Sequence, residues 1–160
     1  MTGPGLEIER KFLVTDRSVL AGSPTIDITQ VYVFDDGSTV MRLNRRDGEY
    51  RLTLRENTAD VVRQQFTCAI PETFGKLLAV SPLARVSMKR RHLLRHGDLL
   101  WTVDVWSWPE VDLALAEVEL TDPASRIDVP PWCGREVTGD PAYYDHVIAA
   151  PRPTTPAPGR

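Results

Sequence analysis

Glu7, Glu9 and Lys11 occupy alternate positions in the opening run Leu6-Glu7-Ile8-Glu9-Arg10-Lys11-Phe12-Leu13-Val14. In an extended strand, alternate side chains share a face, so two carboxylates and an ammonium form one row. Such a row is either the solvated outer face of an edge strand or a wall facing other charges, because burying unpaired ions is costly. A second acidic row, Glu117 and Glu119, recurs in Leu113-Ala114-Leu115-Ala116-Glu117-Val118-Glu119-Leu120, with Ala116, Val118 and Leu120 on the opposite face. In Trp101-Thr102-Val103-Asp104-Val105-Trp106, Asp104 shares a face with Thr102, and Trp101, Val103 and Val105 take the other. Basic residues keep the same rhythm: Arg42 between Met41 and Leu43, Arg51 and Arg55 about Thr53, Lys89 and Arg91 about Arg90. Carboxylates grouped on one wall suit a hard divalent cation bound through oxygen, and lysines and arginines suit a polyanion. Glutamates at i and i+2 on one face repel unless a cation intervenes, or unless the basic rows neutralise them.

Strands charged on one face and apolar on the other suit an antiparallel sheet. If that sheet closes into a barrel, its polar face lines a cavity. Asp35-Asp36-Gly37, Asp47-Gly48 and His96-Gly97 separate strand-like runs and supply hairpin turns, with glycine tolerating positive φ. Helical pieces are expected near 18–22, over 72–80 and over 141–149. Phe74, Leu77 and Leu78 form an i, i+3, i+4 face in the second. In the third, Asp140 caps, Pro141 fits the first turn, and Tyr144, Val147 and Ile148 form the packing stripe. Residues 1–150 read as one domain of α+β class, mainly β, and the proline-rich 151–160 as a flexible tail.

The run Glu7-Ile8-Glu9-Arg10-Lys11 resembles the ExExK signature of the CYTH domain, or triphosphate tunnel metalloenzyme, family. The likeness extends over roughly residues 6–150. In order, it takes in Gln30-Val31-Tyr32, Arg42, Leu52-Thr53-Leu54-Arg55, Arg63, Lys89-Arg90-Arg91, Trp101 to Asp104, Leu115 to Leu120, Pro131-Trp132, Gly134, Glu136-Val137-Thr138 and Asp140. The resemblance implies an eight-stranded antiparallel β-barrel, or tunnel, with a few covering helices, and metal-dependent hydrolysis of inorganic triphosphate or a related organic triphosphate. It implies Mg²⁺ or Mn²⁺ held by Glu7, Glu9, Asp104, Glu117 and Glu119. Lys11, Arg42, Arg55, Arg63, Lys89 and Arg91 then grip phosphoryl oxygens, and Lys11, Glu7 and Glu9 act in catalysis. This chain departs from the pattern where Arg63-Gln64-Gln65-Phe66-Thr67 replaces RxExE, so both glutamates are missing. Asn44 follows Arg42 where a second arginine is usual, Arg55 replaces a lysine, and Ala142-Tyr143 replaces an arginine-tyrosine pair. Gln65 and Thr67 favour a non-catalytic polyphosphate or nucleotide binder; the retained ExExK and Glu117/Glu119 favour the hydrolase. Adenylyl cyclase of the class IV type is a third reading, because the family includes such enzymes.

A formal charge of −3 gives no reason to expect general nucleic-acid binding. No apolar stretch approaches a membrane span, and the start lacks the order of a secretory signal, so a cytoplasmic location is expected. Cys68 and Cys133 lack metal-ligand spacing and read as reduced structural thiols. His92, His96 and His146 likewise lack ligand spacing. Trp101, Trp106, Trp108 and Trp132 read as exterior packing, and Arg90, out of phase with Lys89 and Arg91, as an exterior residue.

Overall fold

The computed structural model describes residues 2–46, 48–57 and 61–151, with side chains not described at 2–4 and 46. Its strands are β1 (Thr2–Val14), β2 (Thr25–Asp35), β3 (Thr39–Arg46), β4 (Glu49–Glu56), β5 (Val62–Ile70), β6 (Arg85–His96), β7 (Leu99–Trp108), β8 (Ala114–Glu119), β9 (Cys133–Glu136) and β10 (Ala150–Pro151). Helix α1 (Glu72–Ala79) joins β5 to β6, and α2 (Asp145–Ile148) precedes β10. The strands pair in the order β6, β2, β3, β4, β5, β1, β8, β7, and β7 returns to β6, closing an eight-stranded antiparallel barrel. Strand β9 adds to β1 and β10 to β6, outside the ring. Pro151 therefore ends a strand, and the rest of the expected tail, 152–160, lies outside the described residues, as does Asp47 of the expected turn. Among the turn glycines, Gly37, Gly48 and Gly97 adopt φ of 87°, 83° and 57°, the left-handed region that favours glycine.

This barrel is built inside out. The even positions of β1 and the odd positions of the start of β7 put Phe12, Trp101 and Val103 on the outer surface, where they join Ala114, Ala116 and Val118 of β8 in a buried cluster. The connection after β1 and the long segment between β8 and β9 cover that cluster with Leu20, Ile127 and Trp132. The Trp101 and Trp132 rings meet edge to face at 5.8 Å. On the opposite outer wall, Val31, Leu43, Ala84 and Val86 are buried beneath Leu78 and Ala79 of α1. Here the expected packing face is corrected. Phe74 and Leu77 are 61 % and 67 % exposed, whereas Gly75 is buried against Tyr50, because only a residue without Cβ lets the helix approach that ring. A Cβ on Gly75 would lie 2.1 Å from Tyr50 Cγ.

The C-terminal helical piece splits in two. Asp140 caps a 3₁₀ turn, Pro141–Tyr143, its side chain accepting from the Ala142 amide, and α2 follows after Tyr144. These turns seal one end of the barrel. Ile148 and Tyr143 pack with Val137 against Leu13, Trp106 and Leu115, and Ala149 packs against Tyr32 and Val40. The face turned inward is thus Asp145, Ile148 and Ala149, at i, i+3 and i+4. The expected stripe is corrected at Val147, which is 45 % exposed. Trp106 is also corrected: it points inward at the sealed end, and its indole N–H donates to Ser87 Oγ at 3.0 Å.

Candidate active site

The charged rows lie side by side on neighbouring strands around the barrel interior. Register places Glu7 opposite Arg63, Glu9 opposite Glu119, Lys11 opposite Glu117, and Arg91 opposite Asp104. Glu9, Lys11, Arg55, Arg63, Lys89, Asp104 and Glu117 are all buried, so the wall is charged and almost dry. It is sustained by pairing: Arg55 Nη1 lies 3.3 Å from Glu7 Oε2, Arg63 Nη2 3.0 Å from Glu9 Oε1, and Lys11 Nζ 2.8 Å from Glu117 Oε1. Arg91 donates through Nε and Nη2 to the two oxygens of Asp104, each at 2.7 Å, and through Nη2 to Glu117 Oε2 at 2.9 Å. Arg90 points outward to Asp27 at 2.9 Å, as its parity requires.

Protonation follows the pairing. Burial alone would lower the pKa of the Lys11 ammonium, but Glu117 and Asp145 outweigh it and hold the pKa above its ordinary value. Burial likewise opposes the charge on Lys89, and Asp145 and Asp104 reverse it. Glu117 stays ionised, its pKa drawn down to about 2 by Lys11 and Lys89 against the effect of burial. Glu9 goes the other way: burial first, then the carboxylates of Glu117 and Glu7, raise its pKa in spite of Lys11 and Arg63. Although Glu9 Oε1 is near Arg63, it makes no hydrogen bond of acceptable geometry. Directly across the strand pair stands Glu119, which is exposed. Two carboxylates opposed in register repel, and a cation relieves that repulsion. Among the described residues no three acidic, histidine or cysteine side chains are gathered into a preformed metal centre, so Glu7, Glu9 and Glu119 offer a hard divalent ion suitable oxygen donors without a ready-made site. Asp104 and Glu117 are the expected ligands whose two oxygens are already taken, those of Asp104 by Lys89 and Arg91 and those of Glu117 by Lys11 and Arg91.

Arg42 differs from the other cations in having no carboxylate within ion-pair distance among the described residues, and its Nε has no partner. Its Nη1 lies 3.2 Å from the oxygen of the Gln30 amide, oriented so that its nitrogen faces Tyr32 Oη at 2.9 Å and Asp145 Oδ2 at 3.2 Å. A cavity of about 450 Å³ opens beside Ile28, Gln30, Arg42, Asn44 and Arg91. Gln65 and Thr67 also face inward, opposite Arg55 and Thr53; Thr53 and Thr67 exchange a 3.0 Å hydroxyl hydrogen bond where the family pattern would set a carboxylate.

One charged residue of the interior escaped the strand-parity reading. Asp145, at the start of α2, is buried, its Oδ2 accepting from Lys89 Nζ at 2.5 Å and its Oδ1 3.7 Å from Lys11 Nζ. A carboxylate three and four residues before the inward Ile148 and Ala149 was the available signal. The assumed stripe through Val147 hid it.

No family model matches the chain. It is 31 % identical over 150 residues to the inorganic triphosphatase of Nitrosomonas europaea, covering 89 % of this chain and 96 % of that one. It is 29 % identical over 142 residues to the inorganic triphosphatase of Acetivibrio thermocellus, covering 88 % and 91 %. The crystal structure of an inorganic triphosphatase superimposes with a TM-score of 0.59 at 29 % identity, covering 92 % of this chain and 97 % of that one. A putative adenylate cyclase from Bacillus halodurans, at 15 % identity and a TM-score of 0.56 over 76 % and 84 % of the two chains, shares the fold.

Proposed function

The chain belongs to the triphosphate tunnel metalloenzyme (CYTH) family of triphosphate-hydrolysing enzymes, and from that standing we propose inorganic triphosphate as its substrate and Mg²⁺ or Mn²⁺ as its metal. The observation that carries the reading is the division of the interior. Glu7, Glu9, Glu117 and Glu119 lie together along β1 and β8, while Arg42 and Arg91 line the cavity. Triphosphate carries its charge along a chain without a base or sugar, and this interior offers a matching row of guanidinium and ammonium groups. Arg42 and Arg91 at the cavity take the first phosphoryl oxygens; Arg55, Arg63, Lys11 and Lys89 lie deeper. Glu7, Glu9 and Glu119, with Glu117 where Lys11 and Arg91 release it, would hold a divalent ion, which would supply neutralisation and polarisation of phosphoryl oxygen. Asp104 serves chiefly to orient Lys89 and Arg91. The sealed end and the buried walls exclude bulk water from the phosphate chain, which strengthens every charge contact inside.

Phosphate release from tripolyphosphate, ATP and thiamine triphosphate, each with Mg²⁺ and with Mn²⁺, tests the proposal. Fastest release from tripolyphosphate supports it; preference for ATP or thiamine triphosphate overturns the choice of substrate. The second reading, a polyphosphate binder without turnover, draws on Gln65 and Thr67 facing the interior. Tight tripolyphosphate binding without phosphate release under any of these conditions would establish it.

A further inference from the structure

Lys89 is the most enclosed cation of the interior, its side chain fully buried between two carboxylates: Asp104 Oδ2 at 2.5 Å and Asp145 Oδ2 at 2.5 Å. The two acids are not equivalent. Asp104 projects from the middle of β7, is held by both arms of Arg91, and stays in place whatever Lys89 does. Asp145 belongs to a one-turn helix that closes the sealed end, and it reaches the ammoniums from that end, with the Gln30 amide between it and the cavity-lining Arg42. Its Oδ1 has no hydrogen bond, although it sits among cations and 3.7 Å from Lys11. A single carboxylate therefore reaches toward both ammoniums, as an oxygen pair of a phosphoryl group would.

We infer that Asp145 is a tethered stand-in for one phosphoryl group, which holds Lys89 and Lys11 while the tunnel is free of substrate and must release them to a triphosphate chain. The inference rests on triphosphate binding inside the tunnel. Without Asp145, the substrate-free interior would leave buried ammonium hydrogens short of acceptors, a costly state in a dry environment. With it, substrate binding exchanges one anionic partner for another, and affinity stays below what the cations alone would give. Asp145 is thus a specificity-determining residue: it opposes polyanions long enough to reach Lys89 and Lys11 and spares those that stop at Arg91.

Calorimetry of tripolyphosphate and pyrophosphate binding to wild type and D145N, in EDTA at fixed ionic strength, tests this. D145N leaves Lys89 with Asp104 and Lys11 with Glu117, so the fold is expected to persist; D145S serves in the same assay if D145N does not fold. The expected result is tripolyphosphate binding about ten- to a hundredfold tighter in the variant, the range of one charge-assisted contact, with pyrophosphate changed less than about threefold. Unchanged or weaker tripolyphosphate binding overturns the inference. So does equal tightening for both anions, which reports only the gain in net positive charge. In either case wild type still binds and cleaves triphosphate, and the tunnel reading stands; a wild type that does neither removes both.

Discussion

Replacing Arg91 and Arg90 separately by alanine sets neighbouring arginines of one strand against each other. Arg91 points inward, makes three charge-assisted hydrogen bonds to Asp104 and Glu117, and borders the cavity. Arg90 points outward into a pair whose side chains are 59 % and 77 % exposed. Breaking a buried pair costs about 3–5 kcal/mol, and a partly exposed one less. Arg91 keeps 25 % side-chain exposure, and Lys89 continues to serve Asp104, so R91A should cost about 2–3 kcal/mol. With a urea slope of roughly 2 kcal/mol/M for a domain of this size, the unfolding midpoint drops by about 1–1.5 M. R90A should stay within about 0.5 kcal/mol. Tripolyphosphate binding at fixed ionic strength, measured on protein shown to be folded by circular dichroism, should weaken about ten- to a hundredfold in R91A and less than about twofold in R90A. Equal losses of affinity in the two variants would refute the inward and outward assignment and the tunnel grip built on it.

E7Q/E9Q keeps side-chain shape and removes charge, so hydrolysis at limiting Mg²⁺ should collapse; wild-type rates in the folded variant would show that these residues do not hold the ion. Q65E/T67E restores inward carboxylates on β5 and should tighten Mn²⁺ binding or raise turnover, whereas two tight Mn²⁺ sites already present in the triphosphate-bound wild type would remove the reason to expect it. G75A drives a methyl into the Tyr50 ring and should destabilise by about 1–3 kcal/mol in urea unfolding; a change near zero would mean that α1 shifts freely. Burial, with repulsion from Arg55 and Arg85, holds the His146 pKa below its ordinary value against the opposing pull of Asp35 and Asp145. The unfolded chain therefore takes up this proton first, and stability falls as pH drops through about 6.5. H146N should flatten the slope between roughly pH 7 and pH 5.5, and an unchanged slope would assign it to other groups.

Strand parity made most of this interior legible. Glu7, Glu9 and Lys11 in alternation, and Lys89 and Arg91 about Arg90, gave the inward face correctly, because a strand's period of two is rigid. Closure of the sheet into eight strands came from family resemblance, since alternation does not say which strand pairs with which. Helices were harder. In α1 the stripe Phe74, Leu77 and Leu78 competes with one running through Gly75, Leu78 and Ala79, and what decides between them is the close approach of Tyr50, a contact across distant sequence. In α2 a single turn is too short for periodicity to have a phase, so Asp145 was not distinguished from a surface acid. The inward turn of Trp106 at the sealed end depends on Leu13, Leu115 and Ile148 meeting there.

A barrel with its apolar core outside and its charges inside separates two kinds of genetic change. Substitutions at inward positions, such as Gln65 and Thr67, alter ligands while the outer clusters around Phe12 and Trp101 hold the fold, so the binding chemistry is free to drift. Insertions and deletions within strands have no such freedom. One extra residue ahead of Glu7 in the paired part of β1 would turn Glu7, Glu9 and Lys11 onto the apolar exterior and Phe12 into the polar interior at once. Length variation in the lineage of this fold should therefore collect in the connections, above all the long passage from β8 to β9, while the strands change letter by letter and keep their count.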